Sequence, residues 1–156
     1  MAVSKEAMLA EMVEDFFFGY LPKGVRRFLD ENTSAALLYY VMSEGTKDAV
    51  GKKMKEGGAS VTEALKTILD FYKMMGGGDC EVEEKERGMR IRVTKCFHEK
   101  FLKENGRPVC VACVAALAGV LKAYFGFVEV EVEGRKMGSR SDVKVVKKGN
   151  VIEVEW

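Results

Sequence analysis

Residues 107–134 read RPVCVACVAALAGVLKAYFGFVEVEVEG, and the rhythm of the chain changes partway through them. From Val109 to Phe125 the apolar side chains run all round a helical path. Pro108 sits in the first turn, where its missing N–H costs nothing, and Gly126 stands where the helix should end. Beyond Gly126, Val128, Val130 and Val132 alternate with Glu129, Glu131 and Glu133. A period of two places the valines on one face of a strand and the glutamates on the other, solvated face. A buried helix is therefore expected to feed directly into a half-buried strand.

The same two rhythms sort the rest of the chain. Residues 141–146 and 151–156 read as two more strands joined through Lys148-Gly149-Asn150. Upstream, Cys80–Glu84 and Met89–Thr94 read as a hairpin turning at Arg87-Gly88. Before the hairpin the period is helical. Ser60-Val61-Thr62-Glu63 has the capping-box pattern, with Val61, Leu65, Ile68, Phe71, Tyr72 and Met75 following and a stop at Gly76-Gly77-Gly78. Asp30–Ser34 offer N-caps for a helix through Met42, with a break at Gly45 and an end at Gly57-Gly58. Residues 5–18 place Met8, Met12 and Phe16 together as a core face. Phe16-Phe17-Phe18 cannot all point one way, so one ring needs a second surface, and Tyr20–Gly24 should break the helix. The order is helices, hairpin, helix, strands. It predicts an α+β fold in which the N-terminal helices pack on a mainly antiparallel sheet, one domain over residues 1–156.

Composition narrows the function classes. A 47% hydrophobic share can build a core without disulfides, and a formal net charge of +1 with interleaved signs argues against a nucleic-acid surface. No window is expected to be apolar enough to span a membrane, and the first residues carry no leader pattern, so a soluble cytoplasmic protein is expected. The absence of Gln beside abundant Lys and Glu leans toward a thermophile.

Three of the four cysteines and the only histidine fall between residues 96 and 113. Cys110 and Cys113, three apart, share a helix face. Cys96 and His98, two apart, would share a face of an extended strand. Thiolate and imidazole are zinc's preferred ligands, and helix-start amides would favour thiolates, so Cys96, His98, Cys110 and Cys113 are the candidate metal set, with Glu131 in reserve. Buried cysteines packed among Val111, Ala112, Val114 and Ala115 are the competing reading, and Cys80 stands apart as structural. No nucleophile–base pair beyond Cys96 and His98 and no phosphate-binding glycine pattern occurs. Gly119 suggests close packing against the sheet or a ligand approaching the backbone.

Pro108-Val109-Cys110, Gly119, Gly126 and then Glu131, Gly134, Gly138 and Asp142 resemble the 4-vinyl-reductase domain. That domain is related to TRAPP transport-complex subunits and heme-NO-binding sensors, and the resemblance covers roughly residues 90–147. It implies a small apolar ligand, aromatic or hydrocarbon, held between helices and sheet, and the expected role is binding without catalysis. It also implies a zinc site built in some members from the Pro-x-Cys cysteine, the glutamate and two later cysteines. Cys110 and Glu131 match that pattern, while Gly134 and Asp142 replace the later cysteines. A homodimer is expected from the apolar N-terminal helices. The alternatives are an enzyme, as a reductase or a zinc- or cysteine-dependent catalyst, and a structural adaptor.

Overall fold

A computed structural model describes residues 4–76 and 78–156. The chain starts with α1 (Lys5–Glu14), capped by Ser4, and continues without a break through a π-helical stretch (Asp15–Tyr20) into α2 (Leu21–Phe28). The expected break at residues 20–24 is absent. Pro22 brings no N–H to the carbonyl of Phe18 four residues back, and a side chain from elsewhere replaces it. Asn105 Nδ2 lies 3.2 Å from the Phe18 carbonyl oxygen and 3.1 Å from that of Gly19, donating to both.

α3 (Glu31–Thr46) is capped by Asp30, whose carboxylate accepts from the Thr33 amide at 2.9 Å. It passes through Gly45 into a second π-helical stretch (Lys47–Gly51) and then α4 (Lys52–Glu56), so the expected break there is instead a change of winding. The capping box at Ser60 and Glu63 forms in both directions, at 2.7 and 3.2 Å, and opens α5 (Val61–Gly76). Gly77 lies outside the described residues.

The hairpin is β1 (Asp79–Lys85) and β2 (Gly88–Lys95). A short helix that the periodicity did not reveal, α6 (Glu99–Asn105), precedes α7 (Arg107–Phe125). β3 (Glu129–Val132), β4 (Arg135–Gly138), β5 (Lys144–Lys148) and β6 (Val151–Glu155) complete one six-stranded sheet of order β1-β2-β6-β5-β3-β4. The α+β class stands, but the sheet is mixed, because β3 and β5 run parallel. The strand missed in the sequence, β4, accounts for this. Glu133 (φ 50°) and Gly134 (φ 82°) make a tight two-residue reversal into β4 at the edge, and the chain then crosses to the other side of β3. One extra strand flips the direction of the next.

α7 is the axis of the molecule, buried from Val111 to Leu121 between the N-terminal helices and the sheet. Contrary to the sequence expectation, it is long and apolar enough to cross a membrane by length and composition, yet 72% of its apolar window is buried inside this fold. Its glycine packs on α3 rather than on the sheet. A Cβ at Gly119 would collide with the Ser43 carbonyl and come within 2.8 Å of the Thr46 Cβ. The first helix also faces the other way from the expectation. Ala10, Glu14 and Phe18 turn inward, while Met8, Met12 and Phe16 are at the surface.

Candidate ligand site

Two cavities flank an aromatic cluster centred on His98. His98 is 2% exposed and lies flat on Phe18, ring centroids 3.6 Å apart and planes 8° from parallel, with the Tyr72 ring edge-on at 4.8 Å. Its Nδ1 is 3.9 Å from Glu14 Oε1, too far for a direct hydrogen bond, and neither ring nitrogen has a partner. Burial lowers the histidine's pKa, and the neighbouring Glu14 carboxylate opposes the shift without cancelling it. The ring is therefore a neutral imidazole at neutral pH. Tyr72 is fixed by donating its hydroxyl to the Cys113 carbonyl at 2.9 Å.

The first cavity, about 230 Å³, lies between the helices α6 and α7 and the sheet. Cys96 and His98 border it from the turn after β2, Cys110 and Cys113 from α7, and Lys147 and Asn150 from the β5–β6 turn. Glu133 organises that turn by accepting from Lys147 Nζ and from the Gly149 amide, each at 2.9 Å. All four residues of the candidate metal set thus meet at one cavity. They do not form a closed ligand shell. Among the described residues no three His, Cys, Asp or Glu side chains gather closely enough to hold an ion.

The local backbone shows why. β2 ends at Lys95, so Cys96 and His98 do not share an extended face. The chain turns there, and the His98 carbonyl accepts from the Phe101 and Leu102 amides to start α6. That turn carries the imidazole onto Phe18. The reserve ligand is also misplaced. Val130 and Val132 point into the core under α7, so Glu131 projects from the opposite face of β3. Burial pushes the Cys110 thiol up despite Lys147, and pushes Cys113 up much further, with Cys110 and Cys96 adding to it. Desolvation outweighs the helix-start amides that were expected to favour thiolates. Cys110 and Cys113 are protonated at neutral pH, which makes them weak nucleophiles and adds a deprotonation cost to metal binding. Cys80, across from Val93 in the hairpin, is buried and apart from both cavities.

The second cavity, about 380 Å³, lies wholly within the helical layer. Phe17 and Phe18 of the first π-helical stretch and Ala49 and Val50 of the second both border it. α5 contributes Ile68, Phe71 and Tyr72, and Ala116 of α7 lies at its base. Only Thr46, Thr67 and Tyr72 bring polar side-chain atoms to it, and the Tyr72 hydroxyl is already bonded. Exposed Gly45, Ala49, Thr67 and Phe71 mark its mouth between α3 and α5. A π-helical turn widens a helix locally and displaces its side chains, and such turns recur at functional sites. Here two of them open onto one apolar space.

Phe18 and Tyr72 border this cavity and His98 borders the first, so the aromatic cluster is the partition between them. Phe18 and Tyr72 were legible in the sequence as helical residues, but neither they nor Glu14 had a part in the expected site. The available signal was the four-residue spacing of Ala10, Glu14 and Phe18, which places a carboxylate on the buried face. In comparisons with known proteins, no family model matches the chain and no curated protein matches it.

Proposed function

We propose that the protein binds one small apolar molecule, aromatic or hydrocarbon in character, in the cavity of the helical layer and does not itself transform it. The observation that carries this reading is the roughly 380 Å³ apolar space bordered by both π-helical stretches. Its volume lies within the range of small-molecule sites, about 300–1,000 Å³, and such sites are mostly apolar with few polar anchors. The likeness to the 4-vinyl-reductase domain agrees with the ligand class but would put the ligand between helices and sheet, where the smaller cavity lies. Against an enzyme, the buried thiols of Cys110 and Cys113 are protonated and the single histidine has no hydrogen-bonded nucleophile.

A second reading, a thiophilic ion such as zinc at the smaller cavity, is favoured by the convergence of Cys96, His98, Cys110 and Cys113 on one space. It requires the side chains to close on the ion from their present positions. Native mass spectrometry of protein purified from its own host, without chelator, separates these readings. An added mass of a few hundred daltons that is lost on extraction with organic solvent supports the apolar ligand. A mass increment equal to zinc, lost on chelation, supports the metal. Protein of bare chain mass that stays bare after incubation with aromatic hydrocarbons contradicts the ligand reading.

A further inference from the structure

The first helix, residues 5–28, carries an apolar stripe that this chain leaves uncovered. Met8, Met12, Phe16 and Tyr20 recur every four residues and are 53, 60, 52 and 72% exposed. They share one shallow groove with Glu11 and Asp15. Four-residue steps drift around an α-helix, but the wider π-helical winding at Asp15–Tyr20 keeps the stripe in line. Charges run beside it at the same spacing. Glu11 and Asp15 flank its first half, Lys23 and Arg27 its second.

We propose that the occupant of this stripe is a second copy of the chain, packed antiparallel on the same helix about a two-fold axis near Phe16. In that arrangement Phe16 meets its own counterpart and Met12 meets Tyr20 of the other copy. Met8 meets Gly24, which has nothing within 4 Å of the place where a Cβ would be. In this register Glu11 of each copy faces the other copy's Lys23, so the pair forms twice, while Asp15 stays paired with Lys100 of its own chain at 2.8 Å. Glu11 has no ion-pair partner among the described residues, and Lys23 has only a long exposed contact of 3.8 Å to Glu104. The self-complementarity of the stripe and of the Glu11–Lys23 pair distinguishes a second copy from a lipid surface, which would gain nothing from an acid and a base at that spacing. This inference is independent of the ligand reading.

Sedimentation of the intact chain from micromolar to hundreds of micromolar should show twice the 17.4 kDa mass. Phe16→Glu should weaken association by at least about tenfold, as expected for an aromatic at an interface centre, with an unchanged circular dichroism spectrum. Glu11→Lys and Lys23→Glu should each weaken it, and an equimolar mixture of the two should restore it, because only the mixed pair matches charges on both sides. A monomer throughout, association unaffected by Phe16→Glu, or no rescue on mixing would overturn the proposal. Monomeric protein that binds phosphatidylcholine vesicles through the stripe would replace it with a membrane contact.

Discussion

Protonating His98 would place a charge on a ring taken out of water, flat on Phe18 and edge-on to Tyr72, and this burial lowers its pKa from the usual 6.5 although the Glu14 carboxylate 3.9 Å away favours the proton. Between 6.5 and the depressed native value the unfolded chain binds a proton that the folded chain refuses. The stability tied to the neutral ring is complete above 6.5 and is lost as pH falls toward the folded value. Replacing His98→Phe keeps the stack and removes the titration. The melting temperature of the wild type should therefore fall more steeply than that of the variant between pH 6.5 and 5, and parallel curves would show that the ring is not held neutral. Carboxylates with lowered values, such as Glu44 and Glu133, act in the same direction but below the ordinary glutamate value of 4.5, outside that window. At this scale the sequence was half informative. It located His98 and the cysteines at one place, but not the stack on Phe18, because the turn at residues 96–98 depends on a helix more than 70 residues upstream.

Among the elements, α7 illustrates what periodicity can and cannot convey. Its ends, its all-round apolar surface and the alternating strand after it were legible, and so was the capping box of α5. The partner of Gly119 was not, because a glycine signals close approach without naming what approaches. The structure supplies α3, with the Ser43 carbonyl and Lys47 amide as the nearest backbone. In Gly119→Ala the added methyl gains about 1 kcal/mol of helix propensity. The overpacking cost of about 1–3 kcal/mol should exceed this, since backbone atoms cannot move aside as a flexible side chain could. A lower urea midpoint with unchanged slope is the expected result, and an unchanged or raised midpoint would mean that α3 yields freely. β4 escaped notice for a different reason. Arg135-Lys136-Met137-Gly138 has no apolar alternation because it is a four-residue edge strand, and its only cue was the Glu133-Gly134 pair. The stripe Met8-Met12-Phe16 shows the opposite failure. Its spacing was read, but an apolar face does not reveal whether its own core or a second molecule covers it.

At the scale of the whole molecule, the order of elements gave the α+β class and the single direction change of β5 gave the mixed sheet. The helical cavity was illegible in the sequence, since it is assembled from α1, α3, α5, α7 and the two π-helical stretches, which share no motif. The central claim is that this space takes an apolar ligand, and the most direct test is titration with a fluorescent apolar probe of the wild type and of Thr67→Trp. Thr67 is exposed at the mouth, so a tryptophan there should obstruct entry without disturbing the core. Saturable binding near one probe per chain, lost or weakened at least about tenfold in a normally folded Thr67→Trp, is the predicted result. No saturable binding to the wild type, or equal binding to both proteins, would contradict it.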